Sequence, residues 1–451
     1  MNRPPRCSNG SMSDAATFNR SAAAARWRAG RYVIPAALVV GAALVIGLLA
    51  LRGRQAEPIR VGVLHSLTGT MAISERAVVE ATLMAIDELN AAGGVLGRSI
   101  EPVVRDGASD PATFAREAER LITVDQVAAT FGCWTSASRK QVKPVIERHG
   151  HLLFYPVQYE GLEESPFIVY TGAAPNQQII PAVTWARDNL GGRFFLVGSD
   201  YVFPHTANAI IRHVTTAIGG EIVGESYVPL GARDMTDIVN EIGRARPDVI
   251  LNSINGDSNA AFFRALRQAG ISPARIPTVS FSIAETELAT MGGHDFVGDY
   301  AAWNYFQSLD TDENRRFVEA LRRRAGRPTT ASDPMEAAYL GVHLWARAVQ
   351  EAGATASTTV IQMLADQSFA APGGVVYIDP ATRHTWKTVR IGRIRSDGQF
   401  EIVWDSRRPV RPTPFPAYRS RAEWETFLNT LFNRWGGRWV NEGPAQTRSQ
   451  R

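Results

Sequence analysis

Cysteine is rare in this sequence, which argues against a fold held together by disulfides. Cys7 and Cys133 are the two cysteines among 451 residues, and they lie on opposite sides of a long apolar segment of membrane type. The eight histidines form no close cluster with the spacing of metal ligands. We therefore expect no disulfide framework, no metal and no cofactor.

The sequence also lacks the short motifs of common enzyme classes. It contains no Gly-x-Ser-x-Gly elbow, no Walker-type phosphate loop and no His-Glu-x-x-His pair. Ser136 with His149 or His151 is one conceivable nucleophile and base, but both histidines lie near a strand start, on the side opposite the predicted pocket. We predict a binding protein and not an enzyme. The alternative, an amidohydrolase, would need a nucleophile and a base in the pocket.

Positive charge is not in excess once the first 54 residues are set aside. Those residues contain eight arginines and one acidic residue, Asp14, which gives a net charge of +7. Because the whole chain carries +4, residues 55–451 sum to about −3. A mildly acidic body argues against a nucleic-acid-binding surface, so we expect no nucleic acid partner. Residues 1–31 are predicted to be a disordered basic N-terminus.

An uncharged run of twenty residues, Tyr32 to Leu51, is long enough to cross a bilayer as one helix. The arginines before it predict that the N-terminus stays in the cytoplasm and that the body is exported. A signal-peptidase site is poor, because Arg54 stands where a small residue is needed. We favour a retained anchor that tethers the body to the inner membrane at its periplasmic, extracytoplasmic face. A cleaved signal peptide is the alternative.

Strand and helix patterns alternate along most of the body, which predicts parallel strand–helix–strand units. The strands that end in polar and aromatic residues fall into two groups, residues 132–161 and 199–285. Two Rossmann-like α/β lobes, joined by a hinge and facing each other across a cleft, explain two such groups better than one very large sheet.

The lobes and the tail can be assigned approximate boundaries from the same patterns. We predict lobe 1 over residues 57–172 plus about 304–375, and lobe 2 over residues 173–303 plus about 376–404. Residues 405–451 are predicted to form a proline-rich linker and a tryptophan-rich helix. So many aromatic side chains indicate that this helix docks on the body.

The ends of the predicted strands supply the candidate ligand-binding residues. Aromatic rings on both sides of a cleft would make a slot for a flat ligand, and carboxylates would accept hydrogen bonds from its N–H groups. Ser136 and Ser138 are expected to cap the helix that runs from Ser136 to Arg148. The candidates are Trp134, Thr135, Ser136, Tyr155, Gln158, Tyr159, Tyr201, Phe203, Asp257 and Glu285. The alternative is structural: Thr135 and Ser136 would only cap a helix, Trp134 would cover an edge, and the carboxylates would cap helices.

Nine ordered segments carry a resemblance to a known family: LHSLTGTMAISE (64–75), GCWTSASRK (132–140), FYPVQYEG (154–161), YTGAAPNQQIIPAV (170–183), LVGSDYVFPHTAN (196–208), NGDSN (255–259), SIAE (282–285), YAAWNYFQS (300–308) and HTWKTVRIG (384–392). Together they resemble the substrate-binding protein of the urea ABC transporter. That family has the type I periplasmic binding fold and is related to amide-binding and branched-chain amino-acid-binding proteins.

The resemblance implies a ligand and a partner. Urea or a short amide would be captured in the cleft and delivered to ABC permease subunits. The loop after the third strand would supply Trp134 and Ser136, the next strand end Tyr155 and Gln158, and the second lobe Tyr201 and Phe203. The alternative from a different class is a membrane-tethered amide or urea sensor that acts on a regulatory partner.

Overall fold

The computed structural model describes residues 57–365 and 367–441. The predicted basic N-terminus and the apolar segment at residues 32–51 lie outside the described residues, as does the end of the tail from residue 442. Within the described residues, no helix is both long enough and apolar enough to cross a membrane.

The described chain alternates strands and helices, as the sequence predicted. The strands are β1 Ile59–His65, β2 Ile100–Asp106, β3 Thr130–Gly132, β4 Leu153–Tyr155, β5 Ile168–Tyr170, β6 Arg193–Ser199, β7 Glu221–Val228, β8 Val249–Ser253, β9 Thr278–Ser280, β10 Tyr300–Trp303, β11 Ser368–Ala371, β12 Gly374–Ile378, β13 Thr385–Trp386, β14 Arg390–Ile394 and β15 Phe400–Asp405. The helices are α1 Ala72–Ala91, α2 Pro111–Thr123, α3 Ser136–His149, α4 Ile179–Asn189, α5 Val202–Ala217, α6 Thr236–Ala245, α7 Ser258–Gln268, α8 Glu285–Met291, α9 Asp312–Ala325, α10 Asp333–Ala352, α11 Ser357–Met363 and α12 Arg421–Arg434.

The first lobe is built on a five-stranded parallel sheet in the order β2-β1-β3-β4-β5. Its strands β3, β4 and β5 are short and buried, as expected when helices cover both faces of a parallel sheet. Helix α10 closes one face: its Trp345 is fully buried and meets the ring of Phe131 edge-on, with 5.9 Å between ring centroids.

The second lobe is built on a seven-stranded sheet in the order β15-β14-β10-β9-β8-β6-β7. Strands β6 to β10 pair in parallel, while β14 runs antiparallel to β10 and β15 antiparallel to β14. The carboxyl ends of the parallel strands therefore carry the loops of this lobe that hold Tyr201, Asp257 and Ser282, all directed to one edge of the sheet.

A small third sheet differs from the sequence expectation. Strand β12 pairs antiparallel with β11 and with β13, so these strands do not continue the seven-stranded sheet. Val376 and Ile378 pack in the same apolar cluster as Phe131 and Trp345 of the first lobe. The sequence assigned residues from about 376 to lobe 2, but in the structure β14 is the first later strand to join that lobe's sheet. The alternating pattern of β12 predicted a strand correctly and could not indicate its partner.

The tail runs along the first lobe and then docks on the second. Pro414 accepts a hydrogen bond at its carbonyl from the Leu162 backbone N–H at 2.8 Å. Helix α12 begins with a capping box, in which Ser420 and Glu423 satisfy each other's free amides. Its Trp424 is fully buried in the apolar cluster that includes residues of α5, so the docked tryptophan helix expected from the sequence is present.

Candidate functional site

The two lobes touch across the cleft at the carboxyl ends of their sheets. The Gln158 side-chain amide donates to the Phe281 carbonyl of the second lobe at 2.8 Å. The Thr70 hydroxyl of the first lobe donates to Asp257 of the second. Ala137, near the start of α3, packs in the same apolar cluster as Tyr201. The structure therefore has its lobes closed on the predicted site, and of the ten predicted site residues all but Asp257 are buried.

The loop that follows β3 has a constrained backbone. A Cβ on Gly132 would lie 2.1 Å from the Leu64 carbonyl oxygen, so the two strands approach too closely there for a side chain. Cys133 has a φ of 67°, an unusual conformation for a residue with a side chain, and such strain is common at ligand-binding loops. These two residues turn the chain so that Trp134 and Thr135 follow at the mouth of the sheet.

The residue that caps α3 is Thr135, as the structural alternative had it, and not Ser136 or Ser138. The Thr135 hydroxyl accepts the Ser138 backbone N–H at 3.1 Å. Ser136 is one residue inside the helix, and its hydroxyl donates to Glu160 and accepts from Arg139 at 3.1 Å. Helix α3 begins at Ser136, and the capping residue is the one immediately before the first helical residue, so the cap is Thr135.

A buried charge network lies directly behind this loop. Arg139 is fully buried and donates to Glu163 at 2.8 Å and to Glu160 at 3.3 Å. Lys140 donates to Glu163 at 3.1 Å. Burial alone would raise the pKa of Glu163, but Arg139 and Lys140 outweigh burial and hold that pKa well below its usual range. Arg139 and Lys140, the two cations nearest the start of α3, are thus engaged by carboxylates of the same lobe.

The two tyrosines that follow β4 have different roles in the structure. The Tyr155 hydroxyl donates to the Trp134 carbonyl at 2.6 Å, so it fixes the loop that carries the tryptophan. Tyr159 stacks on Tyr170 at 5.2 Å between ring centroids, and its hydroxyl contacts His384. The Arg139 guanidinium lies 4.4 Å from the centroid of the Tyr159 ring. The structure therefore places Tyr159 in the interior of the first lobe, where it supports the charge network.

The second lobe supplies Tyr201 and Phe203 from the start of α5 and two carboxylates from neighbouring loops. The rings of Tyr201 and Phe203 are buried, with 6.2 Å between their centroids. Asp257 precedes α7 but makes no side-chain cap, since Thr70 occupies its carboxylate. Glu285 is fully buried and accepts the Gln307 backbone N–H at 2.7 Å. Burial raises the pKa of Glu285 to about 8.

Sequence reasoning missed two buried glutamates on the helices that begin at the cleft. Glu75, in the first turn of α1, accepts from His65 at 3.0 Å and from the Ser66 backbone N–H at 2.8 Å. Glu287, in the first turn of α8, accepts the Ala284 backbone N–H at 3.1 Å. Burial raises the pKa of Glu287, and a hydrogen bond from Ser74 across the cleft opposes that rise. The available signal was a carboxylate at each helix start, within or beside the segments that carry the resemblance.

Several of these side chains keep a polar atom without a partner among the described residues. They include Gln158 Oε1, Glu285 Oε2, Glu287 Oε1 and Glu75 Oε1, on residues of the cleft loops and of the helices that begin there. The Gln158 oxygen accepts hydrogen bonds, as do carboxyl oxygens when they are ionised, whereas Glu285 keeps its proton below about pH 8 and then also offers a donor. A buried acceptor without a donor is costly, so a ligand that brings N–H groups would be stabilised at this place.

The nucleophile and base considered from the sequence are not together. Ser136 contacts Glu160 and Arg139, as described above. His149 contacts Glu119 at 2.8 Å, and His151 contacts the Thr130 hydroxyl at 3.1 Å. Neither histidine has a hydrogen bond to Ser136 within the described part of the chain, so this arrangement gives no support to a hydrolase.

Comparison with known proteins assigns the family. The family described as "Periplasmic binding protein domain" matches residues 59–421, which includes both sheets and the cleft between them. The chain belongs to the periplasmic binding protein family. As a periplasmic binding protein it is an extracytoplasmic solute-binding protein with the two-lobed type I fold, and its solute-binding relatives are not enzymes.

Individual relatives of this periplasmic binding protein agree with that assignment. It is 24% identical over 369 residues to the Leu/Ile/Val-binding protein homolog 6 of Brucella melitensis, covering 79% of this chain and 93% of that protein. A solute-binding protein of an ABC transporter from Rhodopseudomonas palustris HaA2, in complex with p-hydroxybenzoic acid, has the same fold with a TM-score of 0.72. It is 24% identical, and the match covers 79% of this chain and 98% of that one.

A shorter match is to limonene hydroxylase of Geobacillus stearothermophilus, with 36% identity over 124 residues. This match covers 28% of this chain, and the chain spans 23% of the length of that protein. It therefore concerns a part of this chain and not its whole length.

Proposed function

We propose that this periplasmic binding protein captures urea or another short amide in the cleft and delivers it to the permease of an ABC transporter. The observation that carries the proposal is the set of buried oxygens at the cleft that have no partner among the described residues: the acceptors Gln158 Oε1, Glu287 Oε1 and Glu75 Oε1, and Glu285 Oε2, which donates below about pH 8 and accepts above it. Urea brings four N–H donors on two nitrogens, and a primary amide brings two.

Charge also favours a neutral ligand over a carboxylate. The cations closest to the predicted loop, Arg139 and Lys140, are engaged by Glu160 and Glu163. A ligand carboxylate would meet the side chains of Glu75, Glu285 and Glu287 without a free cation among those described at the loop. Burying an uncompensated anion is strongly unfavourable. We therefore do not propose that this protein binds p-hydroxybenzoic acid, the ligand of the Rhodopseudomonas protein.

The predicted pose places urea against the ring of Trp134, between the loop after β3 and the start of α5. Donors for its carbonyl would come from the loop amides, because the Ser136 hydroxyl, which the sequence also suggested, donates its one hydrogen to Glu160. Urea has four non-hydrogen atoms, so a ceiling of about −1.5 kcal/mol per atom limits its binding free energy to about −6 kcal/mol. We therefore expect a dissociation constant of about tens of micromolar.

Calorimetric titration of the full-length chain with urea, acetamide, formamide, leucine and 4-hydroxybenzoate tests the proposal. We expect saturable heat with urea or a short amide and none with leucine or 4-hydroxybenzoate. Glu287→Gln keeps an oxygen for the Ala284 N–H but presents an amide donor to the ligand, so urea affinity should fall about 10-fold or more. The same substitution at Glu319, which is exposed on α9, is the matched control. Binding of leucine or 4-hydroxybenzoate in preference to urea would refute the proposal.

Transport and sensing can be separated by the partner. If the protein feeds a permease, ATP hydrolysis by that permease complex should rise when the urea-loaded protein is added. The sensor alternative predicts no such rise and a response of a regulatory partner instead.

We further propose that residues 32–51 hold the protein at the membrane, on its extracytoplasmic side. The support is the uncharged twenty-residue run and the arginines before it. Alkaline extraction of membranes from cells that make the full-length chain should leave the protein in the membrane fraction. Release into the soluble fraction would instead indicate a cleaved signal peptide.

A further inference from the structure

The last described part of the chain lies at the edge of the cleft and beyond the region that matches the family. The family match ends at residue 421, which is the first residue of α12. Trp424, Leu428 and Leu431 of that helix pack in the apolar core of the second lobe with residues of α5. We name the seven residues that follow α12, 435–441, the C-terminal strap.

The strap is hydrogen-bonded to the start of α5, where two predicted ligand-binding residues, Tyr201 and Phe203, lie. The Val202 backbone N–H donates to the Trp439 carbonyl at 3.0 Å, and Tyr201 pairs with Val440 in an antiparallel bridge. The Asn441 backbone N–H donates to the Asp200 carbonyl at 3.0 Å. Tyr201 provides no side-chain cap for α5. The strap carbonyl therefore satisfies one of the four free amides at the start of α5.

The same strap also reaches the first lobe. The Lys140 ammonium lies 5.0 Å from the centroid of the Trp439 ring, a cation–π contact. Lys140 is near the start of α3 and is held there by Glu163 at 3.1 Å. The ring of Phe432 of α12 packs against the ring of Trp439, with 4.6 Å between their centroids. Trp439 is thus fixed on the second lobe and touches the first lobe only a few residues from Ser136.

We propose that the C-terminal strap is a latch of the closed cleft, which orders Tyr201 and Phe203 and slows opening through the contact of Trp439 with Lys140. Trp439 is a positioning residue, because it acts through α5 and Lys140 and not through the ligand. Opening of the hinge separates α3 from α5 and must break this contact. The latch goes beyond the proposed function and does not depend on which solute binds.

The size of the effect follows from the contact that is lost. A partly desolvated cation–π contact changes an equilibrium by about 3- to 10-fold. Without it, the closed form should be less populated by that factor, and a bound solute should leave faster by the same factor. Association should change little, since the ligand enters the open form.

The test compares Trp439→Leu and Trp439→Phe with a matched control, Trp185→Leu. Trp185 is on α4 of the same lobe and packs against Tyr300, with 5.1 Å between ring centroids. Amide hydrogen exchange of the ligand-free, full-length chain is followed in residues 136–142 and 200–206. We expect about 3- to 10-fold faster exchange in both segments for Trp439→Leu, a smaller change for Trp439→Phe, and none for the control. The dissociation constant of urea should rise in the same order, with the largest rise for Trp439→Leu.

The outcomes separate the latch from the proposed function. Equal exchange in Trp439→Leu and Trp185→Leu would overturn the latch, whatever the ligand. Faster exchange across the whole of both lobes would indicate a general loss of stability and would also overturn it. If the unmodified protein gives no heat with urea but the exchange difference is present, the proposed ligand is wrong and the latch is supported.

Discussion

Glu285 makes the stability of this protein depend on pH in a direction opposite to that of most carboxylates. The side chain is fully buried, its Oε1 accepts from Gln307, and its Oε2 has no partner among the described residues. Burial is the main cause that raises its pKa from 4.5 to about 8, with smaller contributions from Glu287 and Asp333. The folded protein therefore binds the Glu285 proton more tightly than the unfolded chain does.

The magnitude follows from the linkage between pKa and stability. A rise from 4.5 to about 8 corresponds, at about 1.36 kcal/mol per pH unit, to about 5 kcal/mol. The sign is that of a raised pKa in the folded state. The contribution of Glu285 is fully present below about pH 4.5, falls as the pH rises, and is lost above about pH 8.

Glu285→Gln removes the ionisation and keeps an oxygen for the Gln307 N–H. We expect the variant to be more stable than the unmodified protein at pH 9, by up to about 5 kcal/mol, and to differ much less at pH 4.5. Guanidinium chloride denaturation at both pH values measures the two free energies of unfolding. Glu319→Gln, on the exposed side of α9, is the control and should change stability by less than about 1 kcal/mol at either pH. A difference between Glu285→Gln and the unmodified protein that is the same at both pH values would refute the reasoning.

Two further substitutions test the loop behind the cleft. Arg139→Leu leaves Glu160 and Glu163 buried without their main cation, so it should lower the free energy of unfolding by about 3–5 kcal/mol. The control, Arg148→Leu, removes an exposed ion pair and should lower it by less than about 1 kcal/mol. Equal losses in the two variants would show that the buried network contributes little. Gly132→Ala places a Cβ against the Leu64 carbonyl and should lower the free energy of unfolding by about 2 kcal/mol or more. The control, Gly243→Ala, has open space around it on a helix and should be neutral or stabilising. Similar melting temperatures of the two variants would contradict the close approach of Gly132 to Leu64.

The fold could be predicted from the sequence because its signals are local. Apolar strands followed by polar loops and amphipathic helices occur at short intervals, and their two groups of strand ends correspond to the two sheets. The small sheet was assigned differently because an alternating strand such as β12 does not specify its neighbour. That choice depends on packing of Val376 against Trp345, which is not visible in a local pattern.

The candidate site was predictable as a place but not as a set of contacts. The loop at Trp134 and the start of α5 do meet at the cleft, as parallel strand ends require. Tyr155 and Tyr159, four residues apart, look alike in sequence, yet one borders the loop and the other stacks in the interior on Tyr170. The carboxylate partners of Arg139, Glu160 and Glu163, are more than twenty residues away in sequence, so its burial could not be foreseen. The residues that were missed, Glu75 and Glu287, are hydrophilic side chains whose burial depends on the contact between lobes.

The packing of Trp345 on Phe131 has a consequence for how the chain acquires its structure during synthesis. Phe131 belongs to β3, whereas Trp345 comes from α10, after all the parallel strands of the second lobe. The first lobe therefore begins first, and its core lacks one helix layer until residue 352 has been made. Strands β6 to β10 follow one another without such an interruption, so we expect this part of the second lobe's sheet to form before the first lobe is complete, with β14 and β15 joining it later. An exporting cell must therefore keep an incomplete first lobe from aggregating for most of the time the chain takes to emerge.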